Sequence, residues 1–356
     1  MIRHVGRLVV LAAIAALPLS ALAQVKAGAT AADVATYAAP DRMQKLVEGA
    51  KKEGELNIYT SAQQDDMGAL VSAFEKKYGI KVSLWRASGE KVAQRLIQEA
   101  RAGRNEVDVV ETDGAQMEIL HREKQLAPFD VPSIRDVPPE VLPAHRGYVP
   151  SRLTLYVLAY NTRNVAAADV PKSYEELLAP RWAGRFAIES DDVAWFAAVV
   201  KAMGEAKGLD YFRKLATMKP TLRSGHTLMA ELVAAGDIDL ALDAHVQGVA
   251  RLIEKGAPIA WKPLQPAFGQ PSSVGLARRA PHPNAALLFI DFLLSQEGQT
   301  ILRDHKRVPV SRAVDSPLNK FDYRLIDPAI TLDEWDKWSR LWAGMFLGGK
   351  APGKGE

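Results

Sequence analysis

The chain's most informative stretch begins with KKEGELNIYTS at residues 51–61 and ends with YGIKV at residues 78–82. Within it, Leu56 to Tyr59 reads as a short strand, and the apolar residues that follow recur on one face of a helix. Gly79 supplies a left-handed stop for that helix, and the alternation from Ile80 to Leu84 is typical of a second strand. The stretch therefore predicts one β-α-β unit. The apolar helical positions are Met67, Leu70, Val71, Phe74 and Tyr78.

Three polar residues lie where the first strand ends and the helix begins: Thr60, Ser61 and Gln64. In an open α/β sheet, ligands bind beyond the carboxyl ends of the strands. The free N–H groups at a helix amino terminus also favour an anion. The stretch thus predicts part of a ligand site as well as a fold class.

The amino terminus has the pattern of a secretion signal. Arg3 and Arg7 precede the apolar run Leu8 to Leu19, and Ala21-Leu22-Ala23 has the small-x-small pattern of a cleavage site. The apolar run is too short to span a bilayer. We therefore predict a signal peptide over residues 1–23, a mature start at Gln24, and a location in the periplasm. With no cysteine anywhere, we expect neither a lipid anchor at the cleavage site nor disulfides.

The net charge and the length of the chain narrow the class of protein further. Loss of residues 1–23 removes two arginines and lowers the formal charge from +3 to +1, which gives no electrostatic footprint for nucleic acid or an anionic membrane. The remaining length is ample for two hydrophobic cores.

Strand and helix patterns alternate along the rest of the chain, which predicts mostly parallel sheets flanked by helices. We expect a first lobe to start at residues 24–150, a second lobe over 151–265, and a return to the first lobe over 266–347. The crossovers are predicted near 149–156 and 262–273. The return segment includes an amphipathic helix over Thr331 to Phe346, begun by a Thr331/Glu334 capping box and expected to pack on the first lobe. Residues 348–356 read as a disordered tail.

Six phrases spread over nearly the whole mature chain resemble one family, the type II periplasmic solute-binding proteins of ABC importers, in the branch that includes ferric-ion-binding proteins. The resemblance implies an α/β fold of two lobes, each a mostly parallel sheet flanked by helices, joined by two β-strand crossovers. It also implies a solute held in the cleft, hinge closure, and delivery to an inner-membrane ABC permease with its ATPase by a monomer. The phrases are LVEGAKKEGELNIYTSA (46–62), FEKKYGIKV (74–82), LAYNTRNV (158–165), APRWAGRFAI (179–188), LVAAGDIDLAL (232–242) and PHPNAALLFIDFLLSQEGQ (281–299).

The metal ligands of the iron-binding members do not carry over. In those members a His, a Glu and two adjacent Tyr hold the metal, and the matching positions here are Gln64, Asp113, Val246 and Gln247. Ferric ion is a hard cation that needs anionic oxygen donors, so only Asp113 is a credible ligand. We expect no resident metal or cofactor, and keep ferric ion with an exogenous anion as the alternative cargo.

The residues expected to line the cleft are those at strand-to-helix junctions. Hydroxyl, amide and imidazole groups at helix starts favour a small anionic solute such as a carboxylate, a phosphonate or a phosphate ester. Two other interpretations stay open: the serines can serve as helix caps, and Asp191 with Asp192 suits a cation or an amine. The predicted ligand-binding residues are Ser61, Gln64, Arg86, Ser88, Asp113, Ser190, Asp191, Ser224, His226 and His245.

No motif points to catalysis. The sequence has no G-x-S-x-G, H-E-x-x-H or P-loop signature, so we expect a binding protein rather than an enzyme. The same fold can also serve as a ligand sensor for a membrane kinase or a chemoreceptor, which stays open here as a second use.

Overall fold

The computed structural model describes residues 31–35, 37 and 39–350. The predicted signal peptide and the last six residues of the predicted tail lie outside this range. Among the described residues, no helix has both the length and the apolar character needed to cross a membrane.

Helices and strands alternate through most of the described chain. The strands are β1 (Glu55–Thr60), β2 (Lys81–Arg86), β3 (Val109–Asp113), β4 (Leu126–Ala127), β5 (Val149–Asn161), β6 (Phe186–Glu189), β7 (Thr221–Arg223), β8 (Leu240–His245), β9 (Ile259–Lys262), β10 (Phe268–Ala277), β11 (Val308–Pro309) and β12 (Arg324–Leu325). The helices are α1 (Ala31–Ala35), α2 (Arg42–Glu53), α3 (Gln64–Tyr78), α4 (Gly89–Arg101), α5 (Gly114–Arg122), α6 (Val193–Met203), α7 (Glu205–Thr217), α8 (His226–Ala235), α9 (Val246–Glu254), α10 (Pro283–Leu294), α11 (Gln296–Asp304), α12 (Pro328–Asp333) and α13 (Trp335–Phe346).

The predicted opening unit is confirmed. β1 and β2 pair in parallel, with Ile58 opposite Leu84, and α3 connects them. Gly79 ends α3 at φ 72°, a left-handed conformation that glycine adopts without steric cost, and its N–H bonds the carbonyl of Glu75.

One strand, β5, connects two halves of the sheet. Its residues from Val149 to Leu155 pair with β10, whereas those from Tyr156 to Asn161 pair with β8 and β9. The main strand order is β2-β1-β3-β10-β5-β8-β6-β7, with parallel pairing among β1, β2 and β3 and among β6, β7 and β8. We call the half that contains β1 to β3 and β10 the first lobe, and the half that contains β6 to β9 the second lobe. The chain returns between β9 and β10, so two crossovers join the lobes as expected.

Each lobe has an apolar core. In the first lobe, Phe74 of α3 packs against Phe289 and Phe292 of α10 at ring-centroid distances of 5.2 and 5.7 Å. In the second lobe, Phe212 of α7 packs edge-on against Phe196 of α6 at 4.8 Å.

The carboxyl-terminal helix corrects one prediction. α13 packs on α6 of the second lobe and does not return to the first: Trp338 and Trp342 lie 5.8 and 5.4 Å from Phe196. The Nε1 of Trp342 also donates a 2.7 Å hydrogen bond to the carbonyl of Ser190. The apolar stripe of α13 was evident in the sequence, but the stripe does not specify which aromatic surface it covers.

The predicted start of this helix is also wrong. Asp327 accepts from the amides of Ala329 and Ile330 and caps the short α12, in which Thr331 is an internal residue. α13 begins only at Trp335. The Thr331/Glu334 capping box therefore does not form. Asp327, four residues before Thr331, caps α12, and Glu334 precedes α13 without a side-chain capping bond.

We expect Trp342→Ala to lower the free energy of unfolding by about 3–5 kcal/mol, because it empties a fully buried site in the aromatic cluster. Trp335→Ala is the matched control, since Trp335 is 37% exposed, and should change the free energy by less than about 0.5 kcal/mol. Urea unfolding followed by circular dichroism measures both. Equal effects of the two substitutions would contradict the packing of α13 on the second lobe.

Candidate functional site

A polar surface lies on the two strands that join the lobes. Thr154 and Arg152 of β5 are opposite Gln270 and Ser272 of β10 in the antiparallel register, so the four side chains share one face. Tyr156 continues this face, and its hydroxyl donates to Gln270 Oε1 at 2.9 Å. We call these five residues the floor of the cleft.

On the first-lobe side, strand ends and a helix start meet in what we call the first wall: Ser61, Ser88, Gly89, Thr112 and Asp113. The hydroxyls of Ser61 and Thr112 are 3.0 Å apart, and Thr112 donates to Asp113 Oδ2 at 3.3 Å. Asp113 also caps α5 by accepting from the Gln116 amide. Three of the predicted site residues therefore come together here.

Gly89 makes the first wall possible. A Cβ added at this position would lie 2.2 Å from Asp113 Oδ2 and 2.7 Å from Thr112 Oγ1, which is closer than real contacts allow. Glycine thus lets the start of α4 approach the end of β3 directly.

The two other predicted residues of the first lobe lie beside this wall. Gln64 is the exposed first residue of α3, and Arg86 ends β2 with its Nε donating to the Ala62 carbonyl at 2.6 Å. A pairing of Arg86 with Glu90 is a reasonable expectation for residues four apart, but Glu90 instead accepts from Gln94.

The second-lobe side presents carboxylates and imidazoles, which we call the second wall: Glu189, Asp192, His226, Asp243 and His245. The rings of His226 and His245 stack with centroids 3.4 Å apart, and His226 Nε2 lies 3.5 Å from Asp192 Oδ1. Asp243 is fully buried, and both of its oxygens accept from the Glu189 amide at 3.1 Å. The ends of β6 and β8 and the start of α8 therefore converge.

Backbone donors hold Glu189 in place. Its Oε1 accepts from the Gly225 amide at 3.0 Å, and its Oε2 accepts from the Asp191 amide at 2.5 Å. Gly225 has φ 96°, a left-handed value that favours glycine and turns the chain into α8.

Three further predicted residues, Ser190, Asp191 and Ser224, line an open groove of about 450 Å³ together with Phe346 and Leu347. This groove does not include the stacked pair His226 and His245, although Ser224 lies two residues before His226 in the sequence. Asp191 contributes to the second wall through its backbone, because its amide donates to Glu189 Oε2.

Burial and mutual charge set the protonation of the second wall. Burial raises the pKa of Glu189, and burial together with the Asp192 charge raises the pKa of Asp243 well above its ordinary value. Burial lowers the pKa of His226, but Asp192 and Glu189 raise it by more. Burial and the neighbouring His226 lower the pKa of His245 well below its ordinary value.

The register of β5 fixes how far apart the walls stand. Arg152 pairs with Ser272, which in turn pairs with Asp113 of the first wall, and Tyr156 pairs with His245 of the second wall. Arg152 and Tyr156 are four residues apart, or about 13 Å along β5, and the strands that carry the two walls, β3 and β8, are three strand spacings apart across the sheet.

Sequence reasoning named neither Glu189 nor Thr112, which both belong to the walls. Both stand at the carboxyl end of a buried strand, in FAIE and VVETD. A search for polar residues at the last one or two positions of each buried strand would have found both.

The chain belongs to the bacterial extracellular solute-binding protein family, whose model matches residues 60–300. It is 28% identical over 301 residues to the Fe(3+)-binding periplasmic protein of Serratia marcescens. The alignment covers 79% of this chain and 88% of that relative.

Two solved structures show the same two-lobed fold of type II periplasmic binding proteins. One is a Trichodesmium protein (IdiA, FutA) in complex with iron and citrate, with a TM-score of 0.72 and 22% identity over 83% of this chain and 100% of the other. The second is AfuA from Actinobacillus pleuropneumoniae with fructose-6-phosphate bound, with a TM-score of 0.68 and 20% identity over 83% of this chain and 99% of the other. The family and fold expected from the sequence are confirmed.

We expect Gly89→Ala to disrupt the first wall, because the new methyl group must displace Asp113 or Thr112, at a cost of about 1–3 kcal/mol in unfolding free energy. Gly68→Ala is the control: this glycine lies within α3 with open space around its Cβ position, and alanine there should be neutral or stabilising by up to about 1 kcal/mol. Thermal unfolding of both variants is the measurement. A Gly89→Ala protein as stable as Gly68→Ala would mean that α4 does not abut β3 as described.

Proposed function

We propose that this chain is the solute-capturing subunit of an ABC importer and that it binds a small anionic solute between its lobes. The solute is a carboxylate, a phosphonate or a phosphate ester, and the closed protein delivers it to an inner-membrane permease with its ATPase. Family membership supports the transport role. The polar floor between two walls supports the position of the site.

The observation that carries the anion assignment is the chemistry of the first wall. Two hydroxyls, those of Ser61 and Thr112, lie together beside the amino terminus of α4, where unpaired N–H groups favour negative charge. Ser88 precedes that helix, and its hydroxyl makes no capping bond within the described chain. Burial raises the pKa of the Asp113 carboxyl group at this wall.

Ferric ion with an exogenous anion is the second candidate, favoured by the name of the Serratia marcescens relative. The residues at the positions of the tyrosine pair argue against it. At the positions of the tyrosine pair, Val246 and Gln247 are buried, and Gln247 donates to Thr154. Tyr156 is the tyrosine of the floor, and burial raises its pKa well above the ordinary value, so the phenol keeps its proton. Ferric ion prefers anionic oxygen donors, which neither position supplies.

The predicted leader and the periplasmic relative support a periplasmic location. A binding role without catalysis is consistent with the family. We propose that the protein acts as a monomer, without nucleic acid and without a resident cofactor.

A contact between the lobes supports closure around a solute. Arg251 of α9, in the second lobe, donates to Gln63 Oε1 at 2.8 Å and to Asp66 Oδ1 at 3.2 Å in the first lobe. Asp66 is buried and also pairs with Arg307 of its own lobe. Because Arg307 compensates Asp66 when Arg251 leaves, the interlobe contact can break without stranding a buried charge.

The solute class is tested by thermal unfolding of the mature chain with a panel of organic anions, phosphate esters and ferric salts. A solute at about 100 times its Kd adds about 2.7 kcal/mol to stability and raises the Tm. We expect organic anions to raise it. A shift with ferric salts plus phosphate or carbonate, and none with organic anions, would establish the second candidate instead.

For the active solute, Ser61→Ala should weaken binding about tenfold in isothermal titration, because it removes a hydrogen-bond donor to an anionic group. Ser83→Ala is the control, since Ser83 is exposed on the edge strand β2, and its affinity should stay within about twofold. Unchanged affinity in Ser61→Ala would place the anion elsewhere.

Arg251→Ala should weaken solute binding about two- to fivefold, because an ion pair worth up to about 1 kcal/mol no longer favours the closed form. Arg303→Ala removes an exposed pair with its neighbour Asp304 and serves as the control, with no expected change. Titration calorimetry measures both affinities. If the two variants bind alike, the contact has no part in closure.

A further inference from the structure

We propose that Glu189, Asp192 and His226 together bind a divalent transition-metal cation in the second wall. This metal site rests on the proposed function, because it assigns a ligand to the second wall of the cleft whose first wall is proposed to bind the anion. The set shares no residue with Gln64, Asp113, Val246 and Gln247, the positions that correspond to the iron ligands of the relatives.

The geometry of the three side chains points to a metal. One ligand atom from each residue lies within 4.8 Å of the others. Ligand atoms about 2.0–2.2 Å from a common ion stand about 3–4 Å apart, so small side-chain rotations complete the coordination. Carboxylate and imidazole are also the side chains that bind such ions most often in proteins.

Two atoms of this set are buried and have no hydrogen-bond partner among the described residues: Asp192 Oδ2 and His226 Nδ1. The contact between His226 Nε2 and Asp192 Oδ1 is 3.5 Å, which is long for a hydrogen bond. A buried polar atom without a partner costs about 1–3 kcal/mol. A cation coordinated by Asp192 and His226 would compensate that cost.

The three residues lie at the ends of regular secondary-structure elements. Glu189 ends β6 and accepts two amide hydrogen bonds, Asp192 immediately precedes α6, and His226 is the first residue of α8. His245 stacks on His226 and fixes the plane of its ring. Such outer contacts orient metal ligands and raise affinity.

The donor set narrows the kind of ion. Two carboxylates and one imidazole suit Mn²⁺, Fe²⁺, Co²⁺ or Zn²⁺, whereas Mg²⁺ and Ca²⁺ prefer oxygen alone. Copper(I) favours sulfur ligands, and the chain has no cysteine.

The test uses the mature chain without an affinity tag, stripped of metal by a chelator and then dialysed. Manganese chloride is titrated while electron paramagnetic resonance follows free Mn²⁺, and zinc chloride is titrated by calorimetry. We expect one ion per chain. Asp192→Asn and His226→Gln should each weaken binding at least tenfold, whereas Asp191→Asn, one residue away, should bind within twofold of the natural chain.

Three results would overturn the proposal: no binding by the natural chain, full binding by Asp192→Asn and His226→Gln, or an equal loss in Asp191→Asn. Circular dichroism melting of each metal-free variant checks that it folds, and a variant that unfolds is replaced by Glu189→Gln. The anion panel on metal-free protein separates the two proposals. Anion binding without metal binding would overturn the cation site and leave the proposed function standing. Metal binding without anion binding would overturn the proposed anionic solute and leave the cation site standing.

Discussion

The structure depends on one strand, β5, that hydrogen-bonds into both halves of the sheet. Its first seven residues pair with β10 of the first lobe, and from Tyr156 onward it pairs with β8 and β9 of the second. Because a strand is stiff along its length, the partners on its two sides sit at a fixed spacing. The floor lies on this strand and its partner β10, and the strands that carry the two walls lie on either side of it.

A second constraint is the cost of holding carboxylates out of water at the strand ends. Three of them are compensated: Asp113 accepts from a helix start and a hydroxyl, Asp243 from the Glu189 amide, and Glu189 from two further amides. Hydrogen bonds to charged groups contribute about 1.5–3 kcal/mol each, which offsets much of the desolvation. Asp192 is the member with an unpartnered buried oxygen, and it is the one that we assign to a cation.

The comparison with known proteins separates fold from ligand. Solved structures at 20–22% identity share the two-lobed architecture, with iron and citrate bound in one and fructose-6-phosphate bound in the other. One scaffold thus carries different ligands, because the strand-end residues can change without altering the apolar core. In this chain Val246 and Gln247 are buried, and the second wall is rich in carboxyl groups.

The sequence by itself determined the local elements and the fold class. The apolar periodicity of α3, the stop at Gly79, and the alternation in β2 are short-range patterns that few other structures satisfy. Five of the ten wall residues are among the ligand-binding residues predicted from the sequence, because a polar side chain after a buried strand lies at the ligand-binding edge of the sheet. Tertiary structure alone decided which of these residues meet. Glu189 and Asp243 are 54 positions apart, His226 stacks on His245 across two elements, and α13 covers α6 rather than the first lobe. These outcomes depend on register and on packing between distant segments, which periodicity does not encode.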